Sequence, residues 1–240
     1  DVRWSLFRGI ETGADSYSNR VVKRLSRQDR AELDARGARV GDPVLELAPA
    51  AAGRPPWSTN PEVLAKSPEP RGLIYGAVDE ADHSLLVLLR GSDTPPPEVL
   101  NALEPWRVVL RNRAEIARNP RRKWWETAWP RDRDALDGPK VIALYRTDRG
   151  RFAVDEDGQW RPSNKSTIVT PAEPGLSVAY LCGLLNSELL DLWYAVRGKT
   201  PWHVRRNYEP KPMARMPYRH VPVPDGWSEP SGVSALRSAI

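Results

Sequence analysis

The chain has 240 residues, 40% of them hydrophobic, and a net charge of +5, which suits one large or two small globular domains. A single cysteine, Cys182, excludes a disulfide framework or a cysteine-rich zinc site within one chain. The three histidines lie far apart, without metal-ligand spacing. There is no signal peptide and no apolar run of membrane-spanning length, so we expect a cytoplasmic bacterial protein without a membrane partner.

Basic residues outnumber acidic ones by 36 to 31, and only seven of the basic residues are lysines. Guanidinium groups fit phosphate and the guanine edge, so this balance favours an anionic partner. A GC-rich genome also inflates arginine, and composition alone does not separate the two explanations. Because the chain begins with Asp1 and not Met, we expect it to be part of a longer protein.

The first half predicts a mixture of strands, turns and loops. Alternation predicts a strand at residues 2–6, and a glycine-flanked turn, Gly9-Ile10-Glu11-Thr12-Gly13, follows it. Residues 29–35 predict a short helix, and the Pro- and Ala-rich stretch 43–70 predicts a long ordered loop or insertion. Apolar runs at 73–77 and 84–89 predict two strands joined by a turn at 79–82.

The second half predicts two main helices and further strands. Helical spacing covers residues 95–118, where Pro105 should kink or split the helix. Strands are predicted at 141–145, 152–154 and 167–169. A mostly apolar helix at 176–196 should be buried, with a bend near Asn186, a cap at Ser187 and a stop at Gly198. These elements predict an α+β fold with a mixed or antiparallel sheet.

Known catalytic motifs are absent from the sequence. It contains no glycine-rich cofactor turn, no Asn/Asp-Pro-Pro-aromatic motif, no Gly-x-Ser-x-Gly elbow and no Walker loop. Asp155 and Asp157 fall in an apparent hairpin turn, where a structural role is favoured. Scattered carboxylates that converge on Mg²⁺ in a divergent nuclease stay open as an alternative. We expect this chain alone to be non-catalytic and to contain no cofactor.

Residues 111–133 form a first basic stretch, with eight Lys or Arg against three acids and with tryptophans interleaved. Such a mixture binds phosphates through its cations and contacts sugars or bases through its rings. A solvated helix end followed by core tryptophans is an equally good explanation. The candidate DNA-binding residues here are Arg121, Arg122, Lys123 and Trp124.

Residues 197–219 form a second basic stretch, with seven Lys or Arg against one acid. We favour DNA contact over a merely solvated loop, because like charges packed this closely repel unless an anion offsets them. The candidates are Lys199, Trp202, His203, Arg205 and Arg206.

Three further candidates flank predicted strand ends, where a side chain projects from a rigid platform: Lys140, Asn164 and Lys165. A strand-end charge or a turn residue is the structural alternative for each.

An ordered series of short landmarks carries a family resemblance. It runs through Arg122-Lys123-Trp124-Trp125, Gly138-Pro139-Lys140-Val141-Ile142, Arg151-Phe152-Ala153-Val154-Asp155, Asn164-Lys165-Ser166-Thr167-Ile168, Leu184-Leu185-Asn186-Ser187 and the segment 216–224. With these landmarks and the Gly-x-x-Thr-Gly turn, the chain resembles the C-terminal specificity domain of TaqI-like and Eco57I-like adenine DNA methyltransferases and restriction-modification enzymes. The absence of a catalytic domain and the Pro- and Ala-rich stretch 43–70 depart from that pattern.

This resemblance implies a DNA target-recognition domain at residues 1–224, followed by a linker or tail at 225–240. Its partners would be double-stranded DNA and a methyltransferase domain of the same polypeptide or complex. That domain would use S-adenosylmethionine to methylate adenine with base flipping, with or without an accompanying nuclease. Relatives serve in restriction-modification and other phage-defence systems. The alternative is a protein-interaction module of a defence complex, in which the tryptophan-rich surface meets a partner and the charge is incidental.

Overall fold

The structure is a computed structural model that describes residues 4–47, 63–73, 76–92, 94–172 and 176–217. Helices and antiparallel strands are mixed within these ranges, which confirms the predicted α+β class. The predicted tail at 225–240 and the loop residues 48–62 lie outside them. None of the described helices combines the length and the hydropathy that crossing a bilayer requires.

The strands, in chain order, are β1 (Trp4–Arg8), β2 (Glu46–Leu47), β3 (Leu64–Pro68), β4 (His83–Val87), β5 (Lys140–Leu144), β6 (Arg146–Thr147), β7 (Phe152–Asp155), β8 (Ser166–Pro171) and β9 (Arg206–Asn207). The helices are α1 (Asn19–Val22), α2 (Arg27–Ala35), α3 (Pro97–Leu103), α4 (Arg107–Arg111), α5 (Ala114–Ala117), α6 (Arg133–Asp137), α7 (Val178–Leu185), α8 (Glu188–Arg197) and α9 (Pro210–Met213).

The strands pair in antiparallel sheets. The largest has the order β1-β8-β5-β7, so the N-terminal strand lies beside a strand from the far end of the chain. A second sheet has the order β2-β4-β3, and β6 pairs with β9. The β1–β8 pairing matters most for the site, because it brings the Gly9–Gly13 turn next to the loop that precedes β8.

Clusters of apolar side chains bury the faces of the two larger sheets. One face of the four-stranded sheet packs against α7 and α8, with Phe152, Leu181, Leu185 and Tyr194 at the centre. The opposite face meets a smaller cluster around Ile142. Helices α2, α3 and α4 pack with the three-stranded sheet in a separate cluster. The alternation of β5 between two faces explains why all five of its residues are buried.

Both main helices are interrupted where the sequence predicts. A 3-10 turn at Glu104–Trp106 contains Pro105 and separates α3 from α4, and α5 follows as a further short helix. The C-terminal helix is divided into α7 and α8, and the Ser187 hydroxyl accepts a hydrogen bond from the Leu190 amide at 3.3 Å. Gly198 ends α8. A Cβ at this position would lie 2.5 Å from the Tyr194 carbonyl oxygen.

The prediction that the second helix is buried around much of its circumference is wrong for α8. Leu190 and Tyr194 are buried, whereas Leu189 and Leu192 are 74% and 59% exposed. The break before Ser187 is the physical reason, because the apolar positions of α8 do not continue the core-facing stripe of α7. An apolar face on α8 is therefore left in contact with solvent.

The three-stranded sheet also differs from expectation. Strand β3 lies within the predicted loop at 43–70 and pairs with β4 on the side opposite β2. The predicted strand at 73–77 lies partly outside the described ranges, at residues 74 and 75; Leu73 makes an isolated bridge to Val78, and Gly76 makes one to Ala153. Pro68 pairs with His83 at the end of β3, which is tolerated because β3 is an edge strand.

We predict that Leu185→Ala lowers the free energy of unfolding by about 2–5 kcal/mol, because it leaves a cavity in the core beneath the sheet. Leu189→Ala, a matched change on the exposed face of the next helix, should stay within about 0.5 kcal/mol. Urea unfolding of both variants measures the difference. Equal losses would contradict the assignment of faces.

Candidate nucleic-acid interface

Much of the first basic stretch holds the fold together. The guanidinium of Arg113 is buried and donates hydrogen bonds to the carbonyl oxygens of Thr12, Leu110, Trp124 and Glu126. Burial lowers the pKa of Arg113 to about 10. This arginine therefore ties the Gly9–Gly13 turn to the segment around Trp124.

Arg122 and Trp124 also take part in this scaffold. Arg122 Nε lies 2.8 Å from Glu126 Oε2, and its other two nitrogens donate to the carbonyls of Thr127 and Ala128. Trp124 packs against the helical core, with the Arg107 guanidinium 5.3 Å from its ring centroid. These contacts favour a structural role for both residues. Arg121 and Lys123 are exposed and remain candidates for phosphate contact.

Lys140 is fully buried. Its ammonium lies 2.6 Å from Asp155 Oδ2 and 2.7 Å from the Leu136 carbonyl oxygen. The two partners face each other in the β5–β7 register. Burial lowers the pKa of Lys140, and the Asp155 carboxylate opposes that shift. Because the ammonium points away from solvent and is already paired, the arrangement favours a structural role over DNA contact.

Asp155 is likewise bound into the fold. Besides Lys140, it accepts hydrogen bonds from the backbone amides of Gln159 and Trp160. It ends strand β7, which pairs with β5. The structural interpretation of Asp155 agrees with these contacts. Among the described residues, no three His, Cys, Asp or Glu side chains gather as a metal ion would need.

In the loop before β8, the side chain of Lys165 is ion-paired, whereas that of Asn164 is not hydrogen-bonded within the described residues. The Lys165 ammonium lies 2.6 Å from Glu46 and 3.2 Å from Glu69. Burial opposes the charge of Lys165, but the two carboxylates outweigh it and raise its pKa. Lys165 thus fastens the loop to the three-stranded sheet. The side-chain amide of Asn164 has no hydrogen-bond partner among the described residues and is half-buried.

The second basic stretch is partly core and partly surface. Tyr208 is buried and stacks on Tyr194 at a centroid distance of 4.4 Å, so part of this stretch belongs to the core and is neither a DNA contact nor a solvated loop. Arg206 is paired with Asp191 at 2.7 Å. Trp202 has φ 58° and is 75% exposed, while His203 and Arg205 are exposed beside it. Trp202, His203 and Arg205 therefore form the solvent-facing part of this loop.

A series of contacts joins this stretch to the loop before β8. Lys199 lies 2.6 Å from Glu209, which accepts a hydrogen bond from the Tyr145 hydroxyl at 2.7 Å. The Arg8 guanidinium stacks on the Tyr145 ring at 3.6 Å and donates to the Asn164 carbonyl oxygen. Lys199 and Asn164, both predicted from the sequence, are thereby linked by a continuous series of contacts.

Beyond Asn164 lies a polar cleft of about 270 Å³, lined by residues 11, 13–16, 18, 20, 21, 24, 115 and 164. Arg20 lies in α1, which Ser18 caps, and Arg24 follows the end of that helix. Both side chains are exposed without an ion pair among the described residues. Sequence reasoning missed both arginines. The available signal was their position a few residues after the Gly9–Gly13 turn.

Comparisons with known proteins support the fold. No family model and no curated protein matches the sequence. A solved structure of the Type IIL restriction-modification enzyme MmeI in complex with DNA matches with a TM-score of 0.51 and 12% identity. The match covers 85% of this chain and 23% of the MmeI chain. This likeness shows a shared fold over most of the described chain and leaves the TaqI-like assignment a prediction.

We predict that Asp155→Ala lowers the free energy of unfolding by about 3–5 kcal/mol, because it leaves the Lys140 charge buried without its partner. Asp157→Ala, an exposed control two residues away, should cost less than about 0.5 kcal/mol. Thermal or urea unfolding measures both. A stable Asp155→Ala variant that loses a Mg²⁺-dependent cleavage activity would instead revive the nuclease alternative.

Proposed function

We propose that this chain is the DNA target-recognition domain of a restriction-modification or phage-defence enzyme, non-catalytic on its own. The observation that carries the proposal is a series of contacts that runs from Asn164, which shares the polar cleft with Arg20 and Arg24, to Lys199, in the same basic stretch as the exposed Arg205. Arg20, Arg24 and Arg205 make no ion pair among the described residues, so they are suited to phosphates, and the neighbouring amide of Asn164 is suited to a base edge. The fold shared with MmeI, whose structure contains DNA, supports the proposal.

The proposed parent enzyme methylates adenine with S-adenosylmethionine in a separate catalytic domain. The recognition domain would hold the duplex against that domain while the target base is flipped out. Residues 1–224 are the proposed recognition unit. Trp202, next to Arg205, would contact sugars or an unstacked base, because its exposed ring offers a flat surface.

A second candidate is a protein-interaction module. The exposed apolar side chains of Leu189, Leu192, Trp202 and Val204 favour it, because such groups are characteristic of partner surfaces when they are contiguous. The two candidates differ in their response to salt. DNA binding through phosphates weakens steeply with ionic strength, whereas association through apolar surface does not.

The test is fluorescence anisotropy of the chain with random duplex DNA over a salt series. We expect binding at low salt whose logarithmic affinity falls linearly with the logarithm of salt concentration. Absence of binding at the lowest salt would overturn the proposal and leave the protein-interaction module.

We predict that Arg20→Ala with Arg24→Ala flattens the salt slope by about two units, since each lost phosphate contact removes about 0.9. Arg205→Ala alone should flatten it by about one unit. Arg133→Ala is the matched control, because this exposed arginine lines a different hollow and makes no ion pair among the described residues. Equal effects of all three variants would indicate that net charge alone, and not this surface, governs binding.

A further inference from the structure

Several side chains that line the polar cleft have polar groups without a hydrogen-bond partner elsewhere in the described protein. Within the described part of the chain, the side chains of Glu11, Glu115 and Asn164 make no hydrogen bond or ion pair, although all three are half-buried. Elsewhere, partly buried charges are paired, as in Arg206 with Asp191 and Lys165 with Glu46. Glu11 and Glu115 interact only at longer range, with Arg131 and Arg113. Half-buried acceptors that line one cleft without a hydrogen-bond partner point to a bound ligand.

The chemistry of the lining restricts that ligand. The carboxylates of Glu11 and Glu115 are negatively charged and only accept hydrogen bonds. They therefore repel phosphate and favour a group that donates hydrogen bonds. Arg20 and Arg24, which also line the cleft, favour an adjacent anion. A donor and an anion occur together in a nucleotide whose base carries an exocyclic amino group. The volume of about 270 Å³ lies just below the range of small-molecule pockets and suits one base edge.

Trp129 adds an aromatic surface beside this cleft. Its backbone pairs directly with Glu11 through hydrogen bonds of 2.8 and 3.2 Å in an antiparallel bridge. Directly opposed residues of an antiparallel pair project to the same side. Trp129 is 48% exposed, so its side chain is available to pack on a sugar or a neighbouring base next to the carboxylate.

We propose that this cleft reads a base that presents an exocyclic amino group in the major groove, adenine or cytosine, with Glu11 and Glu115 as the acceptors. The inference rests on the proposed function and deepens it, because it names residues that determine sequence specificity. Asn164 would donate to or accept from the same base edge, and Arg20 and Arg24 would hold the neighbouring phosphates.

The experiment starts with the unmodified chain and a random duplex library, from which bound sequences are enriched. Each adenine or cytosine of the enriched site is then replaced by purine or 2-pyrimidinone, analogues that lack the exocyclic amino group. Anisotropy gives the affinity for each duplex. The same duplexes are measured with Glu11→Ala, Glu115→Ala and the control Glu156→Ala, which removes an exposed carboxylate outside the cleft. Thermal unfolding confirms that each variant is folded.

We expect the unmodified chain and Glu156→Ala to lose about tenfold in affinity when one particular amino group is removed. In Glu11→Ala or Glu115→Ala this loss should shrink to about twofold or less, because the acceptor is already gone. A carboxylate that merely repels DNA behaves differently: its removal raises the affinity for every duplex equally and leaves the discrimination intact. That outcome would overturn the inference.

Two other outcomes separate this inference from the proposed function. Salt-dependent binding without any enriched sequence would overturn base reading by the cleft and leave DNA binding standing. No binding to any duplex at low salt would overturn both.

Discussion

Antiparallel pairing between β1 and β8 is the constraint on which the site depends. It sets Trp4 opposite Pro171 and Arg8 opposite Thr167, and the backbone contact continues from Gly9 to Ser166. The approach is so close that a Cβ at Gly9 would lie 2.0 Å from the Ser163 carbonyl oxygen. A glycine is therefore required here, and the turn it begins is held against the loop that carries Asn164.

Charged residues in this chain divide into two groups with different roles. One group is paired and positions backbone: Lys140 with Asp155, Arg122 with Glu126, and Lys165 with Glu46 and Glu69. Buried pairs of this kind contribute little net stability but cost much when one partner is removed. The other group, which includes Arg20, Arg24 and Arg205, is solvent-facing. Affinity for the proposed anionic partner would depend on this second group, because its charges are not already neutralised.

Local signals in the sequence were sufficient for most elements. Pro105 and Ser187 mark the two helix interruptions, because proline removes a helical hydrogen bond and serine caps a new turn. Strand β3 was missed because its sequence, Leu-Ala-Lys-Ser-Pro, has no clear alternation and ends in proline. The exposure of Leu189 was missed because burial depends on the direction of α8 after the break, which periodicity does not encode.

The site was less predictable than the fold because its parts are distant in sequence. Asn164 was singled out from its position before a strand, but its neighbours Arg20 and Arg24 reach it only through the β1–β8 pairing. The prediction of DNA contact by Lys140 is disfavoured for a related reason. As a strand-end charge it was expected to project outward, yet its register partner is Asp155, and the pair turns inward.

The most direct test of the account is photocrosslinking from position 164 to duplex DNA. A photoreactive benzoylphenylalanine replaces Asn164 in one variant and Glu156, in the turn after β7, in another. If the duplex lies on the surface around Asn164, we expect a crosslink from position 164 that weakens with salt, and none from position 156. DNA binding that persists without a crosslink from position 164, or with equal crosslinks from both positions, would contradict the placement of the duplex on this surface.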